Sequence, residues 1–61
     1  MDKPTVRLIG EDGNAFAIMA KVIKALRDNN LSDKIDRYKK RALSGDYDNL
    51  LQVTSEYVDI V

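Results

Sequence analysis

The sequence predicts an α+β fold in the order β-α-α-α-β, with a two-stranded terminal sheet packed under three helices. Three observations predict it: apolar and polar residues alternate near both ends, a helical period occupies the middle, and turn residues mark each change of pattern. A three-helix bundle with frayed ends is the alternative, since short alternating runs also occur outside strands.

The first element is Thr5 to Gly10, a β-branched alternating run bounded by Pro4 and Gly10. Val6 and Leu8 share its inner face; Thr5, Arg7 and Ile9 share the other. Asp12-Gly13 then supports a positive φ, and Asn14 is placed to cap a helix that starts at once. On that helix Ile18, Met19, Val22, Ile23 and Leu26 fall on one arc, with Lys21, Lys24 and Asp28 opposite. It ends near Asn29-Asn30, because Asn tolerates the left-handed conformation that closes helices. Ser32 is the expected N-cap of a second helix running from Asp33 to about Leu43, with Leu31, Ile35, Tyr38 and Ala42 as a narrow apolar stripe and Gly45 as its C′ residue. Asp46-Tyr47-Asp48 opens a short third helix carrying Leu50, Leu51 and Val53. Alternation returns from Tyr57 to Val61, giving a last strand with Val58 and Ile60 inward. The expected core is therefore Val6, Leu8, Phe16, Met19, Val22, Ile23, Leu26, Leu31, Ile35, Tyr38, Leu50, Leu51, Val58 and Ile60.

Sixty-one residues make room for one small domain, 1–61, whose stability is marginal because so short a chain buries a small share of its surface. There is no Cys and no His, which excludes disulfides, thiolate or imidazole metal sites, and the Ser-His and Cys-His forms of catalysis. No cofactor is expected. No apolar run is long enough to span a bilayer and Met1 to Pro4 begins no apolar signal, so the chain reads as soluble, cytoplasmic and without a membrane partner. The ten basic and ten acidic residues cancel, but residues 21–41 carry eight of the basic side chains, between acidic flanks.

Motifs with chemistry in them break down on inspection. The loop Gly10 to Asn14 lacks the glycine spacing of either nucleotide-binding signature, and its Glu11 and Asp12 would repel a phosphate. Asp46-Tyr47-Asp48 begins like a calcium loop, yet Leu50, Leu51 and Tyr57 stand where further ligands and a glycine are needed. A small-ligand site around Asp12, Asn14 and Asp46 to Asp48 is accordingly the third-ranked reading. Two surfaces remain. Lys34, Arg37, Lys39, Lys40 and Arg41 form a basic face on the second helix that could track phosphates, diluted by Asp33 and Asp36. On the sheet face away from the helices, Ile9, Tyr57 and Val61 leave apolar surface, with Arg7 and Asp59 offsetting each other across the strand pair and both edges open. Tyr38 and Tyr47 are read as packed with their hydroxyls at the rim.

Val6-Arg7-Leu8-Ile9-Gly10 with Asp12-Gly13-Asn14-Ala15-Phe16-Ala17-Ile18, and then Ser44-Gly45-Asp46-Tyr47-Asp48 with Leu50-Leu51, resembles a family of short uncharacterised proteins of bacteria and their phages. The resemblance covers nearly the whole chain. It implies a compact domain and transfers no catalytic residue; the family's frequent Trp at the place of Tyr57 implies a packed aromatic there. The functional expectation is a non-enzymatic protein-interaction module with a protein partner or itself, as a homodimer through its terminal strands. The alternative is a small nucleic-acid-associated regulator using the basic second helix.

Overall fold

In a computed structural model that describes residues 3–8 and 13–61, the chain runs β1 (Thr5–Val6), α1 (Ala15–Asp28), a 3-10 turn (Ser32–Lys34), α2 (Ile35–Ala42), α3 (Tyr47–Tyr57) and β2 (Asp59–Ile60). The α+β order β-α-α-α-β is as the sequence requires. The strands pair in parallel, Thr5 with Asp59 and Val6 with Ile60. Parallel neighbours need a long crossover, and the helical middle of the chain is that crossover. The ladder reaches past the two-residue strands: the Asp59 amide donates to the Pro4 carbonyl (2.8 Å) and the Val61 amide to the Val6 carbonyl (3.0 Å). Ile9 and Gly10, the expected end of the first strand, lie outside the described residues.

Helix α1 begins and ends where its polar residues dictate. Asn14 accepts a hydrogen bond from the Ala17 amide at 3.0 Å, Gly13 before it takes φ +80°, and Asn30 closes the helix at φ +61°. Asp46 caps α3 in the same way, accepting from the Asn49 amide at 2.9 Å.

Helix α2 departs from expectation at both ends. Ser32 caps nothing: it opens the 3-10 turn, with Leu31 flanking it and no side-chain cap bond. The reason is the tight exit from α1, where the Leu31 amide bonds the Leu26 carbonyl (2.7 Å) and leaves too little chain for a regular helix start. Gly45 is not a left-handed C′ residue either. Ser44 Oγ (2.7 Å) and Asn49 Nδ2 (2.9 Å) both donate to the Arg41 carbonyl, and a Cβ on Gly45 would stand 2.9 Å from Asn49 Cβ. The glycine is there for room.

Helix α3, eleven residues, is longer than α2 and continues through Tyr57, with the Val58 amide still bonded to the Thr54 carbonyl at 3.0 Å. The last strand thus starts at Asp59, two residues later than the alternation suggests. A local helical bond forms more cheaply than a long-range ladder bond.

One core cluster holds Val6, Leu8, Ile18, Met19, Val22, Leu26, Tyr38, Ala42, Leu50, Val53 and Val58. Each fully buried aliphatic side chain contributes roughly 1.5–3 kcal/mol relative to exposure. Ile23, Leu31, Ile35 and Leu51 pack half-buried at its margin, whereas Phe16 is 80% exposed and Ile60 41% exposed, contrary to expectation. Phe16 lies about 160° round the helix from Ile18, beyond the arc the other elements cover. Ile60 follows Val58 on the alternating face, but only Val58 is roofed by helix.

Candidate functional site

The sheet surface expected to mediate association is present in a reduced form. Asp59 and Val61 direct their amides at β1, so alternation turns the amide and carbonyl of Ile60 to the outer edge of β2, where neither meets a partner among the described residues. Ile60 and Val61 are exposed beside that edge. The β1 side differs, for Lys21 Nζ donates to the Arg7 carbonyl (3.1 Å).

Arg7 and Asp59 do not offset each other. In the parallel register Asp59 faces Thr5, and its charge is met by Lys3 Nζ at 3.7 Å. Tyr57 does not stand on the open sheet face: it ends α3, half-buried, with its ring set edge-on against Tyr38 (centroids 5.3 Å apart, 67° between planes). Ile9 is outside the described residues.

The basic face of α2 divides. Lys34, Arg37 and Arg41 lie one turn apart along one flank and line a cleft of about 300 Å³, together with Lys3 and Pro4 leading into β1, Leu31 before the 3-10 turn, and Glu56 and Tyr57 at the end of α3. Lys39 and Lys40 point away from that cleft, beside Asp36 and Leu43. The fold therefore joins three of the basic residues to Tyr57, which the sequence assigned to a different surface.

Arg41 is the most constrained cation in the cleft. Its two terminal nitrogens bond the two oxygens of Glu56 at 2.7 and 2.9 Å, and its guanidinium carbon lies 5.9 Å from the centre of the Tyr57 ring. The hydrogen bond to Glu56 holds the arginine's proton more tightly than usual, and the same bond holds the Glu56 carboxyl below its ordinary range against the opposing effect of desolvation. Lys3 is held by the Ser55 carbonyl (2.9 Å) as well as by Asp59. Lys3 and Glu56 had no signal in the sequence, because Lys3 reaches the cleft through a contact with Ser55, 52 residues away, and Glu56 through the packing of α3 against α2.

Of the residues read as a small-ligand site, Asp12 lies outside the described residues, and three of the others hold the fold together. Asn14 and Asp46 are helix caps, and Tyr47 Oη accepts a hydrogen bond from the Gly13 amide at 2.9 Å, tying the start of α1 to the start of α3. Tyr38 is not a rim residue: it is fully buried, with its hydroxyl 2.8 Å from Thr54 Oγ1. Among the described residues no group of acidic side chains is arranged to hold a metal ion, and no helix is long and apolar enough to cross a membrane. The chain matches no protein-family model, no curated protein and no solved structure.

Proposed function

We propose that the chain is a non-enzymatic protein-interaction module that pairs with a second copy of itself along the outer edge of β2. The supporting observation is Ile60, whose backbone groups face away from β1 while its side chain and that of Val61 remain exposed. Antiparallel pairing of two such edges about a twofold axis satisfies the same groups in each copy and covers both apolar side chains. A net charge of zero removes long-range repulsion between copies. The resemblance to short bacterial and phage proteins supplies a setting for this reading and no chemistry.

Size-exclusion chromatography with light scattering, run from micromolar to millimolar protein, tests it. The expected mass rises towards twice that of the chain, and Ile60→Lys, which puts a charge on the edge, returns it to the monomer. A monomer at the highest concentration refutes the pairing.

A further inference from the structure

The cleft between α2 and the end of α3 has a charge balance that sets it apart from a solvated helix face. Four cations line it, Lys3, Lys34, Arg37 and Arg41, against the single carboxylate of Glu56. Lys3 is taken by Asp59 and the Ser55 carbonyl, and Arg41 by both oxygens of Glu56. Lys34 and Arg37 are left without a hydrogen bond or ion pair among the described residues. On the outer side of α2, Asp33 and Asp36 stand with Arg37, Lys40 and Arg41, two carboxylates to three cations, so the excess of positive charge is greater on the cleft side.

We infer that this cleft is a receptor for one phosphomonoester group, bound by Lys34 and Arg37 with Arg41 as a fixed third donor. The charge fits: two uncompensated cations match the roughly −1.5 to −2 of a phosphomonoester near neutrality, and a carboxylate would leave one of them unmet. The size fits as well. About 300 Å³ is at the small end of ligand sites, enough for a phosphate ester and the atoms next to it. A nucleic-acid strand would need a continuous basic track, but where Lys40 adjoins Arg37 and Arg41 the surface is interrupted by Asp33 and Asp36, and Lys39 lies beside Asp36 and Leu43. Arg41 is organised in advance. Glu56 occupies two of its N–H groups and orients the guanidinium over Tyr57, leaving about three N–H groups for a ligand.

The test is a titration of the intact chain, followed through its backbone amide resonances, with phenyl phosphate, inorganic phosphate, a phosphoserine peptide, benzoate and a single-stranded oligonucleotide. Phenyl phosphate is expected to give saturable shifts centred on Lys34, Arg37 and Arg41. Lys34→Ala and Arg37→Ala should each weaken binding about tenfold, while the pair Lys39→Ala and Lys40→Ala leaves it unchanged. Benzoate should bind at least about tenfold more weakly, and phosphate binding should fall as pH drops through about 6, where the ester loses its second charge. Both basic pairs are exposed, so the variants keep their fold, which their amide spectra verify. A phosphoserine peptide that binds more tightly than phenyl phosphate assigns the ester to a modified protein; equal affinity assigns it to a small molecule, and either upholds the site. The inference is overturned by an absence of saturable shifts, by benzoate binding as well as phenyl phosphate, by an equal loss in the Lys39/Lys40 variant, or by tighter oligonucleotide binding with a steep salt dependence.

Discussion

Helices α2 and α3 meet through two polar pairs that obey different rules. Tyr38 and Thr54 share a hydrogen bond of 2.8 Å with both side chains fully buried; Arg41 and Glu56, one turn further along α2, share two bonds of 2.7 and 2.9 Å in contact with water. By number of bonds and by charge the second pair is the stronger. Inside the seam, however, no solvent replaces a lost partner, whereas at the rim water competes for every group. Burial raises the Tyr38 hydroxyl above its usual range despite the Thr54 bond, the mark of a group that must stay neutral. The inner pair fixes how the helices pack, and the outer pair fixes where a guanidinium points.

The largest effect expected from breaking this contrast is at Tyr38. Tyr38→Ala should cost about 3–5 kcal/mol, enough to unfold much of so small a domain, and denaturant melts would read it. Tyr38→Phe isolates the polar part: it strands the Thr54 hydroxyl and should cost about 1–3 kcal/mol, and adding Thr54→Val should recover a good part of that loss. A double-mutant result that is simply additive would show the seam to be held by shape alone.

Gly45→Ala comes next. Its Cβ would meet the Cβ of Asn49, which is anchored in the first turn of α3 and bonded to the Arg41 carbonyl, so the turn must shift; about 1–2 kcal/mol of destabilisation is expected in thermal melts. Because that turn sets the approach of α2 to α3, the variant should also disturb the Arg41 contact.

The smallest effect belongs to the rim. Glu56→Gln should leave the melting temperature at pH 7 nearly unchanged. Its mark is on the acid side. The folded-state carboxyl sits below its ordinary value of 4.5, so the pair's contribution is complete above pH 4.5 and disappears as pH falls through the lower folded value. The variant should therefore lose stability less steeply in acid than the parent. An unchanged acid limb would mean that Arg41 is positioned by Tyr57 rather than by Glu56.

The caps and periods were legible because their physics is local. Asn14 beside Gly13, Asn30 and Asp46 each act within a few residues of themselves, and the stripe from Ile18 to Leu26 follows from helical geometry. Phe16, Ser32, Gly45, Tyr57 and Ile60 were misplaced for a shared reason. Each takes its role from a neighbouring element whose position no local pattern encodes: the limit of helix cover for Phe16 and Ile60, the short exit from α1 for Ser32, Asn49 for Gly45, and the Tyr38 ring for Tyr57. Of the candidate sites, Lys34, Arg37 and Arg41 were visible as charge, but their union with Lys3, Glu56 and Tyr57 was not.

By itself, the sequence determined the order of strands and helices, their polar starts and stops, and the exclusion of thiol and imidazole chemistry, since these depend on residue type and on spacing along one element. Tertiary structure alone decided that the strands run parallel, that Asp59 answers Lys3 instead of Arg7, and that the basic helix shows three of its cations to one cleft. Those outcomes rest on contacts between segments far apart in the chain, where direction and register are chosen by how the helices between them pack.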